Sequence, residues 1–174
     1  VTTTSTVTIT AVPTATISYA GTPFCNSLSA AQAVTLNGTS AYTGGTFSST
    51  AGLSLHASTG AITPSASTAG TYTVTYTVPA SGGCSTVPVT TVVTITALPV
   101  ATFSYTGTPY CSNAANPSPA FGGGGVAGTF SSTAGLVFVN TGTGQVNLSA
   151  STPGTYTVTN TIAASGGCSL VAST

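Results

Sequence analysis

The chain repeats itself, and the repeat limits what it can fold into more than any other feature does. Thr14–Cys25 reads TATISYAGTPFC, and Val100–Cys111 reads VATFSYTGTPYC, 86 residues further on. TFSSTAGL at Thr46–Leu53 returns at Thr129–Leu136, GTYTVT at Gly70–Thr75 returns at Gly154–Thr159, and ASGGCS at Ala80–Ser85 returns at Ala164–Ser169. Self-similarity at a fixed spacing marks one folding unit used more than once. The offset drifts by a few residues between Cys111 and Gly144, which places small insertions and deletions in loops there. A partial third copy precedes the first: VTITAVP at Val7–Pro13 matches VTITALP at Val93–Pro99. Residues 1–12 therefore read as the closing strand of a preceding repeat. Residues 13–98 form repeat 1, and residues 99–174 form repeat 2 without a closing strand of its own. The chain reads as two periods of a longer array. The joints, Ala11-Val12-Pro13 and Ala97-Leu98-Pro99, are short and stiffened by proline.

Each unit is close to the length of an immunoglobulin-type sandwich. Thr, Val, Tyr and Ile dominate it, as strands prefer. In Thr71–Pro79, Tyr72, Val74, Tyr76 and Val78 alternate with threonines, the period of a half-buried strand. A Pro79–Gly83 turn leads to a strand over Thr86–Thr96, in which Pro88 suggests an edge or bulged position. Shorter strands are expected at Thr16–Tyr19, Ala33–Asn37, Gly45–Ser48, Leu53–His56 and Ala61–Thr63, punctuated by glycine steps. The predicted fold class is all-β: tandem immunoglobulin-like antiparallel β-sandwich repeats of about seven strands each.

Composition excludes most chemistry. The chain has no Lys, Arg, Asp or Glu, and a single His. Nucleic-acid phosphates need cations, calcium and magnesium cages need carboxylates, and serine triads and glycosidases need acids. No enzyme activity, catalytic residue, cofactor or metal site is expected. No apolar run reaches the ~20 residues of a membrane helix. Residues 1–30 lack the basic segment and apolar block of a signal peptide.

The candidate special residues are few. Four cysteines allow three pairings, and the repeat favours Cys25 with Cys84 and Cys111 with Cys168. Such disulfides imply an oxidising, extracytoplasmic compartment. GTYTV at Gly70–Val74 resembles a tyrosine corner, so the hydroxyls of Tyr72 and Tyr156 are expected to bond backbone groups a few residues upstream. Asn37-Gly38-Thr39 and Asn147-Leu148-Ser149 are glycosylation sequons. His56, with Val139 as its counterpart, reads as a tolerated strand residue, and Gly122–Gly125 as a flexible loop. Phe24, Tyr110, Phe121 and Tyr42 are candidates for stacking on a sugar, although packing is the simpler role for them.

The segments TISYAGTPFC, GTFSSTAGL, STAGTYTVTYT, GGC and VTITALP together resemble the tandem repeats of large cell-surface adhesins of the Bacteroidota, among them the gliding-motility adhesin exported by the type IX secretion system. The resemblance covers nearly the whole chain. It implies a cell-surface or extracellular protein of many immunoglobulin-like units, with no catalytic residues to carry over. Two functions are expected from different classes. One is a stalk or filament of units joined end to end to neighbouring repeats or subunits, by covalent continuation or by strand donation. The other is a module binding a glycan or surface ligand.

Overall fold

The computed structural model describes all 174 residues, which divide into two compact units, Val1–Ala97 and Leu98–Thr174. The chain is all-β and has no α-helix; one 3-10 turn spans Pro64–Ala66. In the first unit β1 (Thr14–Ser18) pairs with β3 (Thr35–Thr39). A second sheet runs in the order β2-β6-β5-β4, from Phe24–Cys25, Val87–Thr96, Gly70–Val78 and Thr46–Ser49. The alternation read along β5 sets its inward face: Tyr72, Val74, Tyr76 and Val78 are buried, and their threonine neighbours face outward or lie half-covered. β1 alternates likewise and buries Ala15 and Ile17. These inward residues join Phe24, Phe47, Ile62, Val93 and Ile95 in one apolar cluster. Phe47 and Tyr76 stack within it with ring centroids 4.5 Å apart.

In the second unit, β7 (Thr129–Ser132), β10 (Val158–Ile162) and β11 (Val171–Ser173) form a three-stranded antiparallel sheet, β11-β10-β7. β8 (Phe138–Asn140) and β9 (Gln145–Val146) form a hairpin. The core here is Ala101, Phe130, Val146, Leu148 and the side chain of Asn160. Phe103 meets Phe130 edge to face at 5.2 Å.

Four expectations change. Strand counts are six and five, below the seven anticipated, because Leu53–His56 and Ala61–Thr63 are reduced to isolated bridges around Ile62. The pairing is not wholly antiparallel: β2 runs parallel to β6, with Phe24 opposite Ile95 and Cys25 opposite Thr96. Residues 1–12 form no strand, and Val7 and Ile9 are 87% and 92% exposed. The place this sequence type takes in the first unit is already held by Val93–Thr96 of β6. Finally, the counterpart of His56 is Asn140, not Val139. A bulge between Phe138 and Asn140 absorbs one extra residue, Val139, which points into solvent. The same turn closes both copies, Gly60 N–H to the His56 carbonyl and Gly144 N–H to the Asn140 carbonyl.

Candidate functional site

The two copies agree where side chains tie down backbone. Tyr72 donates its hydroxyl to the Thr68 carbonyl at 2.6 Å, and Tyr156 donates to the Thr152 carbonyl, also four residues upstream. Gly52 and Gly135, at φ +105° and +107°, lie against these hydroxyls, where an added Cβ would come within 2.8 Å of the oxygen. Ser67 joins the Thr63 carbonyl to the Ser54 N–H, and Ser151 joins the Asn147 carbonyl to the Val137 N–H. At one place the copies reach the same end with different chemistry. The Gly45 N–H donates to the Tyr76 hydroxyl, which itself donates to the Tyr42 carbonyl. In the second unit Asn160 takes this role: its Oδ1 accepts from Gly128 N–H, and its Nδ2 donates to Val126 and Ala101 carbonyls. Burial pushes the Tyr19 hydroxyl up to about 12. Burial, and then the neighbouring Tyr110, do the same to Tyr105. Tyr19 donates to the Gly60 carbonyl and Tyr105 to that of Gly144.

The cysteines depart from the expected pairing. Cys25 and Cys168 are disulfide-bonded, whereas Cys84 and Cys111 carry free thiols. Strand length explains why Cys25 does not meet Cys84. Cys25 lies opposite Thr96, at the far end of β6, while Cys84 stands in the Ser81–Cys84 turn that precedes it. Ten strand residues span roughly 30 Å, and a disulfide needs Cα atoms within about 7 Å. The thiol of Cys84 instead faces residues 10 and 11, with Sγ 3.7 Å from the carbonyl oxygens of both Thr10 and Ala11.

The remaining candidates do not converge. His56 is exposed, and its Nδ1 accepts from the Ser58 and Thr59 N–H groups, a turn-capping role. Asn37 is exposed on β3. Asn147 is half-buried, and its Oδ1 accepts from Ser149 and Ala150. Phe24 is buried in the core, Phe121 packs edge-on to Phe130, and Tyr42 is half-buried. No group of three or more metal-ligating side chains is present, and no helix is long and apolar enough to cross a membrane.

One concave feature stands out. A cavity of about 860 Å³ opens in the second unit, walled by Phe103, Tyr105, Tyr110, Tyr156 and Val158, with the thiol-bearing Cys111 on its rim. At the equivalent place in the first unit, Val93 and Ile95 of β6 are packed in the core at 0% and 2% exposure. Sequence reasoning did not show this tyrosine-walled groove.

No protein-family model, no curated protein and no solved structure matches this chain.

Proposed function

We propose that the chain is a non-enzymatic structural or adhesive element of the cell surface. Its units are immunoglobulin-like β-sandwiches joined end to end into a stalk or filament. The observation that carries this reading is the duplicated fold itself: two units of one design, their tyrosine, serine and glycine contacts repeated, with no charged side chain among them. A unit repeated with the same internal contacts suits an object whose job is to extend. The hydroxyl contact of Tyr72 and of Tyr156 supports an immunoglobulin-like corner. A disulfide supports an oxidising, extracellular setting. Freedom from charge suits a surface object exposed to changing salt.

The test is the covalent mass of native material, denatured and reduced, set beside its shape by electron microscopy. Fibres are expected, either from chains far above 16.6 kDa or from small chains associated end to end. A single globular monomer at the mass of the bare sequence would overturn the reading. A second reading, a glycan- or surface-binding module, is favoured by one observation, the tyrosine-walled groove of the second unit. Binding of the isolated chain to a glycan array would distinguish it.

A further inference from the structure

The outward face of the sheet β2-β6-β5-β4 has a regularity that packing does not require. Alternation along β5 turns Tyr72, Val74, Tyr76 and Val78 into the core and leaves Thr71, Thr73, Thr75 and Thr77 on the other side. The pairing register carries this row onto both neighbours. On β4, Thr46 lies opposite Thr77 and Ser48 opposite Thr75. On β6, Thr90 lies opposite Thr75 and Thr94 opposite Thr71. The hydroxyl oxygens of Thr71 and Thr94 are 3.5 Å apart. Val92, opposite Thr73, differs from threonine only by a methyl in place of the hydroxyl. Hydroxyls therefore repeat in two directions, about 4.8 Å across the strands and about 6.8 Å along them. Threonine is β-branched and stiff at χ1, and β5 is paired on both sides, so the array is ordered before anything binds. Edge strands such as β4 are commonly blunted with charge, and here there is none. Four of the positions recur in the second unit, where Thr129 lies opposite Thr161 and Ser131 opposite Thr159.

We propose that this threonine face binds ice, the hydrogen-bonded lattice of solid water. The composition of the face removes other ligands. The aromatic rings of β4 and β5 all point inward and β6 has none, so a sugar ring finds nothing to stack on. The chain has no Lys, Arg, Asp or Glu, so phosphates and charged polymers are not held. The Trp, Tyr and Arg anchors that carry protein–protein contacts are absent from the face as well. What remains is a surface of hydroxyls and methyls at fixed spacing. Each hydroxyl both donates and accepts, as each water of an ice surface does, and the two repeats lie close to those between oxygens on the prism face of ice. The methyl groups seat in the openings of that lattice. A charged side chain would keep a strongly held hydration shell, and this face has none to shed. Side chains already fixed in one rotamer lose little entropy on contact. Twist of roughly 20–25° between neighbouring strands confines the fit to a patch a few strands wide, and three strands are what the face presents. The proposal is independent of the end-to-end reading and adds a ligand that reading does not name.

The test uses the 174-residue chain, with ice itself as the probe. Ice grown slowly from a dilute solution rejects ordinary solutes. This chain should instead be enriched in the ice fraction over a charged control protein of similar mass, and single crystals held just below melting should grow faceted rather than round. Ser48→Lys with Ser131→Lys puts a bulky, hydrated charge into both arrays at exposed positions, and should return the chain to the level of the control protein. If that pair fails to fold, Ser48→Gln with Ser131→Gln makes the same intrusion without charge. Ser48→Thr with Ser131→Thr completes the rows with methyls and should bind at least as well as the parent. Ser27→Lys with Ser29→Lys adds two charges at exposed positions in the loop after β2, and should leave binding unchanged. Melting temperatures equal to the parent's show which variants are folded. The proposal is overturned if ice rejects the parent as it rejects the control protein, or if the folded lysine or glutamine pair partitions as the parent does. It is also overturned if the threonine pair loses binding, or if the Ser27 and Ser29 pair loses as much as the face variants. Retention on crystalline cellulose or chitin without enrichment in ice would overturn it in favour of a polysaccharide. None of these outcomes touches the end-to-end reading, which rests on mass and fibres.

Discussion

At the level of single residues, the two copies offer matched experiments. Tyr72→Phe removes a hydroxyl bond to the Thr68 carbonyl in a buried setting and should cost about 1 kcal/mol. Tyr156→Phe makes the same deletion beside the open groove, where water replaces the lost partner, and should cost less. Urea unfolding of both variants reads the difference. Asn160→Leu is more severe. It leaves the Gly128 N–H and the carbonyls of Ala101 and Val126 without their partner, inside a core where Asn160 has no exposure. A loss of about 3 kcal/mol is expected from such stranded groups, again by urea unfolding. The repeat puts Asn160 at the position of Tyr76, but its buried role could not be read from sequence. An asparagine at an inward strand position suggests a fault until its three partners are seen. The tyrosine of GTYTV was legible, because its neighbours fix the corner locally. The cysteine partners were not: repeat symmetry says that positions are equivalent, and only the length of β6 says which of them can meet.

Among the elements, the long strands were the most legible. The reading of Thr71–Pro79 became Gly70–Val78, and that of Thr86–Thr96 became Val87–Thr96. Both are long enough for period-2 alternation to stand out from noise. β2 was missed, because two residues have no period and a parallel pairing is set by tertiary contact alone. The strand expected at residues 1–12 is extended sequence without a neighbour, and a strand exists only where an edge accepts it. The same rule explains why β10 has five residues where β5 has nine. It predicts that amides of residues 154–157 exchange with solvent much faster than those of residues 70–73 in the single chain. Hydrogen-exchange mass spectrometry reads that gap.

For the whole molecule, the missing charges set the response to solvent. Acid unfolding mostly reflects carboxylates that must be protonated, and this chain has no carboxylate side chain. Its melting temperature at pH 3 should lie within a few degrees of that at pH 7 and change little with salt. Alkali is different. Tyr19 and Tyr105 keep their protons up to about 12 when folded, against 10.0 for an unburied tyrosine. Between those values the unfolded chain holds fewer protons, so stability is whole below pH 10 and is lost as pH climbs toward 12. Thermal melts across that range test the sign. The two free thiols, one beside Thr10 and one on the groove rim, carry a last consequence. Cys84 is half-covered and Cys111 exposed, one in each unit, so a thiol reagent should mark the second unit first and the first more slowly. The chain thus carries its own pair of attachment points for spectroscopic labels, one reporting on each unit as it opens.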